Sequence, residues 1–276
     1  MSTLVADSDL SAAHFREISR TVYDIAGIQL REGKEGLVRA RLAKRLRQLA
    51  IPTFDAYLDQ VRADPRELAE MIDLLTTNKT SFFRESAHFD YLRDQLLPSL
   101  GAGPVRIWSA GCSSGEEPYT LAMVLRETWG ADLGRRDVKV LATDISRRVL
   151  ATAAAGVYPD ALLEDVPAEL RRRYWTRAET PGARGAAPGW RAADALRALV
   201  TFAPLNLMGA WPMRGPFQAI FCRNVMIYFD KATQQQLVSR YYDLLAPGGH
   251  LFVGHSESLS ALSHRFAYVQ PAVYRR

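Results

Sequence analysis

Residues 109–115 read Ser-Ala-Gly-Cys-Ser-Ser-Gly and stand between a short apolar run and a helical stretch. Small side chains there let a ligand approach the backbone, and the start of the following helix offers unpaired N–H groups. Gly111 and Gly115 fit a dinucleotide fingerprint, but Ser113 stands where the middle glycine would be. The same residues also make an ordinary tight strand-to-helix turn, so the loop alone does not choose. Glu116 and Glu117 follow at once. Acids at a helix N-terminus favour the helix dipole whatever else they do. They would repel a pyrophosphate, and they suit an ammonium or another positive centre. S-Adenosylmethionine carries both an ammonium and a sulfonium, so the pair argues against a nicotinamide dinucleotide and for the methyl donor. Asp144 closes the next apolar run. An acid there can accept from both hydroxyls of a ribose, or it can cap the helix that begins near Ser146.

Two further clusters mix polar and aromatic residues. Residues 76–85, Thr-Thr-Asn-Lys-Thr-Ser-Phe-Phe-Arg-Glu, fall at the junction of two differently patterned regions. They read as a ligand-binding segment or as a polar linker with an aromatic anchor. Residues 221–229 begin like a strand and place Arg223, Asn224 and Tyr228 at or beyond its carboxyl end. Open α/β sheets bind ligands there, although a buried strand with incidental polar ends has the same appearance.

The elements that must position these groups follow from periodicity. Phe15, Ile18, Val22 and Ile25 recur at helical spacing, and Leu37, Leu42, Leu46 and Leu49 mark a second helix. A third candidate covers residues 53–61. A fourth begins at Asp64, with Pro65 in its first turn and Glu67 closing a capping box. This all-α region is expected to end near Thr76. From residue 105 the pattern alternates: apolar runs at 105–108, 138–143, 199–202, 219–222 and 250–253, with helical stretches after the first two and at 230–245. Such alternation predicts a parallel sheet with crossover helices. Residues 267–273 read as a closing strand or a hairpin arm, interrupted at Pro271. Between residues 158 and 198 the rhythm breaks, and Pro181, Gly182, Gly185, Pro188 and Gly189 suggest an inserted subdomain with a loose tip.

Composition narrows the class. With 48% apolar and 24% charged residues the chain is globular rather than disordered. No apolar stretch approaches the ~20 residues of a membrane span, and the first ten residues lack the basic start of a signal peptide. Cys112 and Cys222 end apolar runs and read as reduced core thiols. No CxxC or Cys/His spacing suggests a metal site, and none is expected. A cytoplasmic location follows. The net charge of +5 fits an acidic partner of any kind.

The segments TTNKTSFFRE, RIWSAGCSSGEEPYTLA, TDIS, FAPLNLM, FCRNVMIYFD and GHSES, in this order between Thr76 and Ser258, resemble the signature segments of the CheR family, the chemotaxis receptor methyltransferases. The preceding helical region resembles that family's N-terminal domain. The resemblance implies an α/β fold: a Rossmann-like class I methyltransferase domain with a small inserted subdomain, preceded by an all-α domain. The implied boundaries are 1–76 for the helical domain, 77–98 for a linker contributing to the site, and 99–276 for the methyltransferase domain with its 158–198 insert. It implies transfer of a methyl group from S-adenosylmethionine to glutamate side chains of methyl-accepting receptors, whose cytoplasmic domains are the expected partners.

By position, the resemblance implies that Asn78, Thr80, Arg84, Gly111, Glu117, Asp144, Asn206, Leu207, Arg223 and Asn224 bind the donor. Glu117 would meet the methionine ammonium, Asp144 the ribose, and Asn206 with Leu207 the adenine. Arg84 and Tyr228 would also orient the incoming glutamate. His255 and Glu257 match GHSE, and a fold-supporting role is expected for them. Two other classes stay open: a donor-sensing module without turnover, which intact Arg84, Glu117, Asp144 and Tyr228 argue against, and a nucleic-acid methyltransferase. Against the latter, the base-amine signature is replaced by Arg223-Asn224-Val225-Met226, so no nucleic acid is expected as partner. Arg39, Arg41, Lys44, Arg45 and Arg47 form a candidate docking face for the receptor. The run 181–189 looks looser than the peptide-gripping hairpin of some family members, so little dependence on a receptor tail is expected.

Overall fold

The computed structural model describes residues 9–180 and 187–276. Two compact units emerge, one running to Thr77 and including Tyr228–Asp230, the other comprising Asn78–Ile227 and Lys231–Arg276.

The first unit is helical. In α1 (Ala12–Ala26), Ser11 and His14 form a reciprocal capping box, and Gly27 ends the helix in the left-handed region. Phe15, Ile18 and Val22 are buried, with Ala26 rather than Ile25 as the last buried position. α2 (Glu35–Leu49) buries Val38, Leu42 and Leu46, whereas Leu37 is 40% exposed. Leu37 and Val38 are adjacent, so only one can face the core. α3 (Phe54–Ala63) is capped by Thr53, and α4 (Pro65–Leu75) by Asp64, whose carboxylate accepts the Arg66 N–H.

The expected capping box at Glu67 does not form. The Asp64 N–H that it needs is already donated to the Gln60 carbonyl of α3, at 2.8 Å. Glu67 instead turns inward, 4% exposed, and accepts from Arg45 Nε (2.9 Å), Arg45 Nη2 (2.6 Å) and the Tyr57 hydroxyl (3.0 Å). A bidentate arginine pair is stronger than one backbone cap. Arg41 is also committed internally, donating to the Leu74 and Thr76 carbonyls at 3.1 and 2.8 Å. The candidate basic face is therefore smaller than expected: Arg39, Lys44 and Arg47 are exposed, while Arg41 and Arg45 are half-buried braces.

The second unit opens with α5 (Ala87–Tyr91), which continues through a π-helical turn (Leu92–Leu96) into α6 (Leu97–Ser99). Then follow β1 (Val105–Ala110), α7 (Glu116–Trp129), β2 (Val138–Asp144), α8 (Arg147–Ala155), β3 (Val157–Pro159), α9 (Ala168–Tyr174), β4 (Trp175–Thr180), β5 (Ala187–Ala192), α10 (Asp194–Arg197), β6 (Val200–Pro204), β7 (Phe217–Cys222), α11 (Lys231–Leu244), β8 (Leu245–Val253), β9 (Ala267–Gln270) and β10 (Val273–Arg275). The main sheet has the order β6-β2-β1-β7-β8-β10-β9. β6, β2, β1, β7 and β8 are parallel, and β10 with β9 forms an antiparallel hairpin at one side. β8 starts earlier than expected, and a register shift against β7 accommodates Pro247, Gly248 and Gly249. The chain leaves β1 towards β2 and later returns to its other side as β7, so β1 lies at the switch point where such sheets bind ligands.

The described part of the insert is more ordered than its composition suggests. β3, β5 and β4 form an antiparallel sheet, and Tyr158, Leu163, Val166, Tyr174 and Trp175 join the core of this unit. Pro188 and Gly189 are not a loose tip: they lie in β5, paired with Glu179 and Ala178 of β4. Pro181, Gly182 and Gly185 lie outside the described residues. Cys112 and Cys222 are free, buried thiols, as expected. Among the described residues no helix is long and apolar enough to cross a membrane.

Candidate active site

At the end of β1 the Gly111 and Cys112 N–H groups both donate to the Thr143 carbonyl, at 2.8 and 2.9 Å. Gly111 has φ +87°, and a Cβ on it would stand 2.4 Å from Val225 Cγ2. Only glycine fits this position. Ser113 takes the middle position of the loop with φ +49°, a left-handed geometry that glycine would adopt without strain. Its N–H donates to Asp144 Oδ2 at 2.9 Å, and Asp144 Oδ1 accepts the Ser146 N–H at 2.9 Å. Ser146 itself caps α8. Asp144 thus bolts the loop to the end of β2. Leu205, just after β6, donates its N–H to the Asp144 carbonyl at 2.9 Å. The turn that follows holds Asn206, whose side-chain oxygen accepts the Met208 N–H. It also holds buried Leu207, whose carbonyl receives Arg240 and Trp211.

The two acids at the start of α7 separate in role. Glu116 is 1% exposed and accepts from Ser114 Oγ at 2.7 and 2.9 Å, which keeps it within the loop. Glu117 accepts from Ser109 Oγ at 2.7 Å and from Arg223 Nη1 at 2.8 Å. Burial pushes both carboxyls up, in Glu117 against the pull of Arg223. The Arg223 side chain is 2% exposed and is shared. Its Nη2 donates to Glu85 at 3.0 Å and to the Arg84 carbonyl. Glu85 also accepts from Asn224 Nδ2 and from the His255 N–H, each at 3.3 Å. Burial opposes its ionisation, but Arg223 and these donors outweigh that and hold its carboxyl below the usual range.

Residues 78–85 run along this cluster. The Asn78 carbonyl accepts from Ser113 Oγ at 3.0 Å, and the Phe83 N–H donates to Thr120 Oγ1 at 3.2 Å. Phe82 is buried edge-on between Tyr158 and Trp175 of the insert. Thr80 is half-buried on the same stretch. Arg84 Nη1 donates to the Lys79 carbonyl at 2.9 Å. Among the described residues, the non-glycine positions with positive φ include Phe83, Glu85, Ser113 and Asn224. Such backbone costs roughly 1–2 kcal/mol per residue and clusters where a site must hold an exact geometry. Tyr228 ends a short 3₁₀ turn (Met226–Tyr228) beyond β7 and groups with the helical unit, where its carbonyl accepts the Gln29 N–H at 2.9 Å.

Two residues, Ser109 and Glu85, gain roles that the sequence did not reveal, while Glu257 holds the fold-supporting place expected of it. Ser109 orients Glu117, and Glu85 divides Arg223 with it. Glu257 accepts the N–H groups of Asn224 (2.8 Å), Ile227 (3.1 Å) and Gly254 (2.5 Å), which holds the end of β7 in shape. An acid beside Arg84 in a polar stretch was the only available signal for Glu85.

Two buried histidines set a pH response. Burial, with the nearby charge of Arg223, lowers His88 to about 3, and burial, with Arg275, lowers His250 to about 4. In the unfolded chain each titrates near about 6.5. Between these limits the unfolded state holds the proton and the folded state does not. The histidines' contribution is thus complete above about pH 6.5 and falls on acidification, by up to about 1.4 kcal/mol per pH unit for each. Glu116, Glu117 and Glu257, with carboxyls raised by burial, act in the opposite sense. His250→Gln preserves a partner for the Tyr91 hydroxyl and removes one titration. Its thermal midpoint should therefore fall less steeply from about pH 6.5 to 4.5. Parallel profiles for the two proteins would refute this.

Residues 13–76 match the family described as CheR methyltransferase, all-alpha domain, and residues 78–274 match CheR methyltransferase, SAM binding domain. The chain is 44% identical over 268 residues to the chemotaxis protein methyltransferase of Escherichia coli, covering 96% of this chain and 91% of that one. It is 42% identical over 262 residues to a probable chemotaxis protein methyltransferase of Rhizobium etli, covering 92% and 96%. Against chemotaxis protein methyltransferase 2 of Pseudomonas aeruginosa the identity is 44% over 264 residues, covering 94% and 91%.

Proposed function

The chain belongs to the CheR methyltransferase family, and from that premise we propose that it transfers a methyl group from S-adenosylmethionine to glutamate side chains of methyl-accepting chemotaxis receptors. The observation that carries the reading is the buried Glu117–Arg223–Glu85 constellation at the carboxyl ends of β1 and β7. Two carboxylates share one buried guanidinium there, and Asp144 adds a third carboxylate at the end of β2, a set that suits a cationic donor and disfavours a pyrophosphate.

Glu117 is assigned to the donor's ammonium and Asp144 to its ribose. Asn206 and Leu207 are assigned to the adenine, and Asn78, Thr80, Arg84, Gly111, Arg223 and Asn224 to the remaining wall, with residues 77–98 serving as the contributing linker. When bound, the donor supplies a methyl group made electrophilic by its sulfonium. The attacking glutamate oxygen is already ionised at neutral pH, since its reference pKa is about 4.3, so no general base is required. The protein's task is alignment. The Arg84 guanidinium holds the non-attacking oxygen, with the Tyr228 hydroxyl as second donor. Transfer of tritium from labelled donor onto receptor fragments, followed by alkali, tests the reading. A carboxyl methyl ester releases labelled methanol, and label that stays on the protein would exclude glutamate ester formation.

The exposed trio Arg39, Lys44 and Arg47 is assigned to the receptor's acidic methylation region. Opposite charge raises the encounter rate more than the affinity. Changing all three to glutamate should slow methylation about tenfold at low salt and flatten its salt dependence, with donor affinity intact. Arg45 and Arg41 are left out of this variant because they brace α4. Unaltered methylation would return the helix to a plain solvated face. Pro188 and Gly189 pair with β4, whereas 181–186 lie outside the described residues, so comparing receptors with and without the tail tests the expected independence from it.

A further inference from the structure

Glu85, His88 and His255 bring one ligand atom each within 4.8 Å of one another in the methyltransferase unit. Glu85 Oε2 lies 3.7 Å from His88 Nδ1. His255, in the turn after β8, sets its ring edge-on to His88 with centroids 5.0 Å apart. His88 is 1% exposed, and neither of its ring nitrogens has a hydrogen-bond partner. A buried imidazole left in that state costs free energy that a ligand on nitrogen would recover. Its neighbour His255 is exposed, so the cluster is dry on one side and open to solvent on the other.

We propose that Glu85, His88 and His255 form a binding site for a zinc-like divalent cation, with water as the fourth ligand on the His255 side. Two imidazoles and a carboxylate are a zinc donor set, whereas magnesium and calcium demand oxygen. Tetrahedral zinc with bonds of about 2.0–2.2 Å sets its ligands roughly 3.4 Å apart. From separations within 4.8 Å the cluster would close by up to about 1.4 Å to meet that geometry, a movement assigned to the exposed His255 ring. Arg223 opposes a cation here, and Glu85 cannot serve both fully. Occupancy therefore loosens the Arg223–Glu85 pair, and through Arg223 it disturbs Glu117. Zinc and donor should weaken each other's binding by the same factor, a consequence that rests on the donor pocket proposed above.

Calorimetry with zinc on the chelator-treated full chain, with cobalt absorption as a geometry probe, tests the site. One zinc per chain and tetrahedral cobalt bands are expected. In His255→Ala, zinc affinity should fall about tenfold to a hundredfold and the bands should vanish, with the far-ultraviolet spectrum unchanged. His88→Gln, if folded, should do the same. Absence of saturable zinc binding, or equal binding by wild type and both variants, overturns the proposal. The titration uses no donor, so its outcome is independent of the donor-pocket assignment. Product affinity at saturating zinc is then compared with that in chelator. A drop supports the coupling, and equal values overturn it.

Discussion

Glu117→Ala should weaken binding of S-adenosylmethionine and of S-adenosylhomocysteine about ten- to a hundredfold, or 1–3 kcal/mol. Both ligands keep the ammonium, so both should suffer, while loss confined to the donor would point to the sulfonium instead. The effect is large because Glu117 works in a nearly dry setting. Its partners are Ser109 and Arg223, and an added ammonium would meet a carboxylate screened by little water. Removing the side chain also leaves Arg223, 2% exposed, with fewer compensating acceptors. Part of the loss should therefore appear as lower thermal stability.

Glu117→Gln separates the two contributions. The amide oxygen still accepts from Arg223, so stability should change less than in the alanine variant, while the charge that attracts the ammonium is gone. Calorimetry on both variants against a thermal melt gives the answer. Donor affinity unchanged in a folded Glu117→Gln protein would remove this residue from the ammonium site. Because burial raises the Glu117 carboxyl, donor binding by the wild type should also weaken on acidification, as the carboxylate takes up a proton, and Glu117→Gln should lose that part of the pH dependence.

Local signals were legible in the sequence, and distant pairings were not. Helical spacing located α1 because Phe15, Ile18 and Val22 repeat without rivals, but it chose Leu37 over Val38 where two apolar residues are adjacent. Asp64-Pro65 marked the start of α4, since capping is a matter of neighbours. The fate of Glu67 depended on Arg45, 22 positions away, and on an N–H already taken by α3. The same limit holds in the site. The glycine loop and the acids after it announce a ligand that approaches the backbone. That Glu117 meets an arginine 106 positions later needs the β1–β7 pairing, which periodicity does not specify. Glu85, His88 and His255 carry no metal-motif spacing, because the last of them arrives by way of β8. In the insert, Pro188 and Gly189 read as breakers, yet cross-strand pairing with β4 overrides their intrinsic preference.

Arg84→Ala should reduce turnover about a hundredfold or more at saturating donor and receptor, with a smaller change in donor affinity. The backbone sets the position of this side chain. Arg84 stands between two residues in the left-handed region, Phe83 at φ +53° and Glu85 at φ +56°, and its carbonyl is held by Arg223. Strained flanks and a buried tether fix where its side chain starts, and the Lys79 carbonyl takes one of its N–H donors. The remaining donors keep the planar fork suited to a carboxylate. If they grip the non-attacking oxygen of the glutamate, their loss leaves that oxygen to water and the attacking oxygen unaligned. A lysine restores the charge but not the fork, so Arg84→Lys should recover only a minor part of the rate. Tyr228→Phe should slow turnover more mildly, as one neutral donor is lost. Steady-state rates and donor affinity measured on the same preparations distinguish the roles. A fall in donor affinity with turnover preserved would make Arg84 part of the donor wall alone. Normal rates in both variants would end its assignment, and that of Tyr228, to the reacting carboxylate.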